Sequence, residues 1–188
     1  MNSLVKNNSE FFQSYFSSIA GSVAEVDVVK LQKVADIFLR TARAGGKIIF
    51  VGNGGSAAMA SHLSVDLTKA ARIRAINFNE ADLLTCFAND YGYENWVVRA
   101  LEAYADKNDV LVLISSSGKS PNIINGVSQA RSMGISVVTF SGFKPDNPLR
   151  GLGDVDFWCN SEVYNVVEMT HHVWLLAIVD FIIQERRN

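Results

Sequence analysis

The sequence predicts an α/β fold: a doubly wound, mainly parallel five-stranded sheet flanked by helices, with an N-terminal helical extension. Three observations predict it. Short, continuous apolar runs recur along the chain, stretches of helical periodicity fill the gaps between them, and residues 1–45 show helical spacing with no strand signal. Runs without polar alternation read as strands covered on both faces, the condition of parallel strands held between two helical layers.

In chain order, Phe11, Phe12, Tyr15, Phe16 and Ile19 recur at helical spacing, and so do Val29, Leu31, Val34, Ile37 and Phe38. Gly45-Gly46 closes the second of these helices. Strands are expected from Lys47 to Gly52, Val110 to Ile114, Ile135 to Phe140 and Val155 to Trp158, with a less apolar fifth from Ile73 to Phe78. Helices are expected over Ala57 to Ala70, Tyr93 to Ala105, Ile123 to Met133 and Val163 to Glu185. No repeat, low-complexity tract or linker interrupts the series. Residues 1–188 therefore read as one domain, with helices over 1–45 and an α/β core ending in a long helix over 46–188.

Composition narrows the function classes. A net charge of −2 and a pI near 5.9 leave no basic face for nucleic acid. The only candidate membrane span, Val173 to Ile183, is short and interrupted by Asp180, whereas a span needs about 20 apolar residues. The N-terminus lacks the basic-then-apolar pattern of a signal peptide. Cys86 and Cys159 match no metal or redox spacing, and two isolated thiols suit a reducing cytoplasm.

Two turns, each between a strand and a helix, carry unusual chemistry. The first is Val51-Gly-Asn-Gly-Gly-Ser-Ala57. Gly54 and Gly55 let the backbone approach a ligand closely, and Ser56 opens a helix whose free N–H groups attract an anion. The spacing fits neither a dinucleotide fingerprint nor a P-loop. The second is Ile114-Ser-Ser-Ser-Gly-Lys-Ser-Pro-Asn122, in which Ser115, Ser116, Ser117 and Ser120 crowd a helix start and Pro121 falls in its first turn. A structural turn needs one capping hydroxyl, not four. Several hydroxyls beside helix N–H donors suit the acceptor-rich shell of a phosphate. Lys69, Arg72 and Lys119 lie nearby in sequence and read as solvated.

GNGGSA followed by SSSGKSPN resembles the sugar isomerase (SIS) domain, and more narrowly the phosphoheptose isomerases. His62, the segment Ala88 to Glu94 and the N-terminal helices support the likeness, which covers nearly the whole chain. The resemblance implies a sugar phosphate as ligand. Its phosphate would be held by Ser115, Ser116, Ser117 and Ser120, with Asn53, Gly54, Gly55 and Ser56 against the sugar and Asp90 near its hydroxyls. It also implies a homo-oligomer, a tetramer, with sites near subunit boundaries.

The catalytic pattern departs from the family's in two places. Where phosphoheptose isomerases carry a basic glutamate on the helix after GNGGS, this chain has Asp66, one methylene shorter. A displacement of about 1 Å can cost on the order of 100-fold in rate. Aligning on Glu168 puts Leu175 where the family has a histidine on its last helix. Glu168, His171, His172 and Leu175 nevertheless share one helical stripe, so either His171 or His172 could supply the imidazole. Some family members bind a metal such as zinc through a histidine and a carboxylate four apart, the spacing of His62 and Asp66. Two ligands do not complete a site, and no cofactor is expected. The leading expectation is an aldose–ketose isomerase acting on a seven-carbon sugar phosphate such as sedoheptulose 7-phosphate. In it, Asp66 moves the carbon-bound proton, and His171 or His172, with Glu168, serves the oxygens. The alternative is a non-catalytic SIS module that senses a sugar phosphate or binds a protein partner.

Overall fold

A computed structural model describes residues 2–187, with side chains placed from Asn8 onward. In chain order the elements are α1 (Asn2–Ala24), α2 (Val28–Arg43), β1 (Ile48–Gly52), α3 (Gly55–Lys69), β2 (Ala75–Asn77) and α4 (Ala81–Tyr91). They continue with α5 (Trp96–Tyr104), β3 (Val110–Ser115), α6 (Pro121–Ser132), β4 (Ser136–Ser141), β5 (Val155–Trp158) and α7 (Tyr164–Glu185). The five strands form one sheet in the order β2-β1-β3-β4-β5, and every neighbouring pair is parallel.

That order places the site. From β1 the chain winds one way to β2 and then crosses to β3 on the other side of β1, so the winding reverses between β1 and β3. Open α/β sheets bind ligands in the crevice outside the carboxyl ends of the strands at such a reversal. Gly52 pairs with Ile114 in the ladder, so the turns that leave β1 and β3 emerge side by side.

The apolar runs become strands because both of their faces are covered. Side chains alternate across a strand. Ile48, Phe50, Val112, Ile114 and Phe140 join α2, α3 and α7 in one core. Ile49, Val51, Leu111, Leu113 and Val137 join α5 and α6 in the other. β2, at the sheet edge, is only half-buried and shorter than the sequence suggests. The helix expected from Tyr93 begins at Trp96, and α4 before it is an element the sequence reading passed over. It contributes no fully buried residue; Leu83, Leu84, Phe87 and Ala88 only lean on the second core.

Asp27 caps α2: its carboxylate accepts the Val29 N–H at 3.0 Å, a contact worth about 1 kcal/mol. α7 is longer than the apolar stretch noted in the sequence. By length and composition its 22 residues could cross a membrane, yet half of its most apolar window is buried within the fold. Trp174, Leu175, Ile178 and Ile182 fill the first core, where α7 packs against α1, α2 and α3.

Candidate active site

β1 ends at Gly52 and α3 starts at Gly55, which leaves Asn53 and Gly54 to make the turn. Gly54 sits at φ 55° and ψ −121°, backbone that a side chain would strain. A Cβ at Gly55 would collide with the carboxylate of Glu168, so glycine is what lets α7 approach the helix start. The helix therefore opens at Gly55, with Gly54 as its cap, and not at Ser56. Ser56 lies inside the first turn, and its N–H donates to the Asn53 carbonyl at 3.0 Å.

The second turn leaves β3 at Ser115 and enters α6 at Pro121, whose missing N–H costs nothing at that position. Ser120 occupies the cap position, but its hydroxyl makes no capping bond; it lies 3.5 Å from the Ser115 hydroxyl instead. Ser117 accepts the Lys119 N–H at 3.3 Å. The Ser116 hydroxyl is buried and has no hydrogen-bond partner. A buried polar group without a partner is costly, and Ser116 lies in the wall of a cleft.

That small cleft gathers Asn53 and Ser56 from the first turn and all four serines from the second. Tyr164 and Glu168 of α7 close its far side. Among the described residues no lysine or arginine lines it, so an anion there would be held by hydroxyls and helix-terminal N–H groups. Burial pushes the Glu168 carboxyl up from its ordinary value, which favours its protonated form beside an anion.

Two side chains the sequence reading did not single out hold Asn53 in place. Its amide pairs reciprocally with that of the buried Asn122, at 3.0 and 3.1 Å. The Tyr93 hydroxyl donates to its carbonyl oxygen at 3.1 Å. Asn122 closes the SSSGKSPN motif itself, so its place was marked even though its partner was not.

About two helical turns further along α3 lies a second cluster. The Nε2 of His62 stands 3.2 Å from Asp66 Oδ2, and its Nδ1 stands 2.9 Å from Nε2 of His172. The carboxylate accepts a hydrogen bond from the His62 Nε2–H, and in that tautomer Nδ1 of His62 accepts the His172 N–H. Nδ1 of His172 is then the free basic nitrogen of a carboxylate–imidazole–imidazole relay. Burial, and then the neighbouring His62, lower the affinity of His172 for a proton, against the pull of Asp66. Among the described residues, no group of three or more His, Cys, Asp or Glu side chains is arranged to hold a metal ion. His62 and Asp66 alone do not fit one.

The structure separates the two adjacent histidines. His171 points into the core, fully buried between Phe140 and Trp174, and donates its Nε2–H to the Ser141 carbonyl at 2.9 Å. It lines neither the cleft nor the relay, because the residue after it on the helix takes the outward direction. Asp90, expected near the sugar, lies exposed at the end of α4 with Asn89 and Cys86. Within one chain it is not brought to the cleft.

With this geometry in view, comparison with known proteins is specific. The SIS domain family model matches residues 11–142. A phosphoheptose isomerase of Cytophaga hutchinsonii is 41% identical over 66% of this chain and 68% of its own length. One of Fusobacterium nucleatum is 34% identical over 79% of this chain and 77% of its own. Among solved structures, phosphoheptose isomerase from Neisseria gonorrhoeae superposes with a TM-score of 0.85 at 26% identity, over 95% of this chain and 99% of that one. The chain belongs to the SIS-domain family, with the phosphoheptose isomerases as its relatives.

Proposed function

We propose that this protein is an aldose–ketose isomerase of a seven-carbon sugar phosphate, such as sedoheptulose 7-phosphate. One observation carries the reading: an anion cleft and an acid–base relay share the same two helices. His62 lies six residues beyond Ser56 on α3, about 9 Å along the axis, and His172 lies four beyond Glu168 on α7. An open-chain sugar whose phosphate enters the serine cleft extends from there toward the relay.

In this reading the buried Ser116 hydroxyl gains its missing partner from the phosphate, together with Ser115, Ser117 and Ser120. Asn53 and Glu168 meet the sugar between the two ends. Asp66 takes the proton from C1 of the ketose, an enediol forms, and the proton returns to C2. Meanwhile the O1 hydroxyl gives up its proton and O2 gains one, through His172 backed by His62. His171 has no part in it. The reading implies no redox cofactor.

We further propose that the protein assembles as a homotetramer in the cytoplasm. Phe11, Phe12 and Phe16 of α1 stand 55 to 63% exposed, and an apolar groove runs between α2 and α7 past Val28, Leu31, Ala177 and Phe181. Such surface favours a protein contact over water.

One observation favours the non-catalytic alternative. Leu175, at the position of the family's histidine, is buried in the core and leaves nothing basic there. Exchange of solvent deuterium into sedoheptulose 7-phosphate separates the two readings. The isomerase incorporates label at carbon; a protein that binds the sugar phosphate but leaves it unlabelled is a sensor.

A further inference from the structure

We propose that Asn122 and Tyr93 are positioning residues that fix the side-chain amide of Asn53 as a hydrogen-bond donor toward the sugar. The inference rests on the sugar-phosphate reading of the cleft and adds to it the residues that set the polarity of one contact.

Asn53 is held from two sides. Its carbonyl oxygen accepts from Asn122 Nδ2 at 3.0 Å and from the Tyr93 hydroxyl at 3.1 Å, which uses both of its lone pairs. Its own Nδ2 donates one hydrogen to Asn122 Oδ1 at 3.1 Å. One N–H remains, and Asn53 lines the same cleft as Glu168. Asn122 is fully buried, so its amide cannot trade this pairing for water, and the two ligand turns are bolted together through it.

The consequence is a matched pair in the wall of the cleft. Asn53 offers a donor with no acceptor, and the Glu168 carboxyl, protonated or not, keeps a carbonyl oxygen that can accept. A hydroxyl satisfies both at once, donating to Glu168 and accepting from Asn53. Inorganic phosphate held by the serine turn leaves this pair for the sugar. Asn122 and Tyr93 therefore act on recognition of the sugar and not of the phosphate.

Calorimetry with inorganic phosphate and with sedoheptulose 7-phosphate, on the full chain and on Tyr93→Phe and Asn122→Ala, tests the idea. One mispositioned hydrogen bond predicts sugar-phosphate affinity about five- to tenfold weaker in each variant, with phosphate affinity within about twofold of the parent. Tyr93 is exposed at the surface, so its phenylalanine variant reports even if Asn122→Ala folds badly. Parallel losses for both ligands, or no loss for either in Tyr93→Phe, would overturn the proposal. A parent protein that binds the two ligands alike would instead remove the sugar-phosphate reading, and this proposal with it.

Discussion

His62 and His172, from two different helices, meet nitrogen to nitrogen at 2.9 Å, with their rings nearly perpendicular. His171, one residue earlier, is sealed in the core. The two neighbours therefore respond differently to the same substitution. His172→Ala is expected to lower kcat by about 100-fold or more, the usual worth of a positioned acid or base, with little change in melting temperature. His171→Ala is expected to cost about 3 kcal/mol of stability, because it hollows the core between Phe140 and Trp174. Steady-state kinetics and thermal melts on both variants check the contrast. Equal losses of kcat with unchanged stability would return His171 to the site.

Asp66→Asn removes the relay's carboxylate while keeping its size. Turnover is expected to fall about 100- to 10,000-fold, since an amide cannot take a carbon-bound proton. Binding should persist, because the cleft residues lie elsewhere on α3 and on other elements. The check is sugar-phosphate affinity by calorimetry beside solvent exchange on the same preparation.

In the serine turn, Ser116→Ala and Ser120→Ala are each expected to weaken sugar-phosphate binding by about three- to tenfold, one hydrogen bond apiece. Ser116→Ala should also raise stability slightly, because it deletes a buried hydroxyl that has no partner in the free protein. A gain in melting temperature joined to a loss of affinity is a signature that a structural serine would not give.

The strands were legible in the sequence because parallel strands are apolar on both faces, and Ile48 to Val51 and Val110 to Ile114 are unbroken apolar runs too short for a helix and flanked by turn residues. The two ligand turns were legible because their chemistry is local: glycines for backbone, hydroxyls for an anion. What one-dimensional spacing could not decide was direction. His171 and His172 differ by about 100° around a helix axis, and only the packing of α7 against β4 and α3 shows which one turns inward. Asn122 was on the page in SPN, but its pairing with Asn53 needs the side-by-side exit of β1 and β3. α4 escaped notice because its apolar residues only lean on a core that other elements build.

Stability should depend on pH through His171. Burial lowers its pKa to about 4, from an ordinary value near 6.5, against a smaller opposing pull from the Ser141 carbonyl. Between those values the unfolded chain binds a proton that the folded protein refuses. Stability is therefore full above pH 6.5 and falls as pH drops toward 4, by about 3 kcal/mol in total. Urea denaturation at a series of pH values should show the decline, and His171→Leu should flatten this part of it. An unchanged slope in that variant would assign the pH dependence to other groups.

At the end of the sheet opposite the cleft, a buried lysine anchors β1. Lys47, at the entry to β1, is buried and pairs with Asp109 at 2.6 Å and Asp106 at 2.7 Å. Burial pulls its pKa down, but the hydrogen bonds to Asp106 and Asp109 outweigh it and leave the ammonium above its ordinary value. Asp109 also accepts the backbone N–H groups of Lys47 and Asp106, at 2.8 and 2.7 Å, so one carboxylate ties the start of β1 to the loop before β3. Lys47→Met would leave that carboxylate buried with no cation, a loss of about 3 kcal/mol or more. Asp109→Asn in the same chain should restore part of it, because the remaining amide carries no charge to strand. The pair should thus be non-additive by about 1 kcal/mol or more in a double-mutant cycle. Turnover of the folded fraction should stay near the parent's in all three variants, since the network sits at the amino ends of β1 and β3 while the cleft opens at their carboxyl ends. Additive losses, or a kcat that falls with stability, would break this account of the strand's anchor.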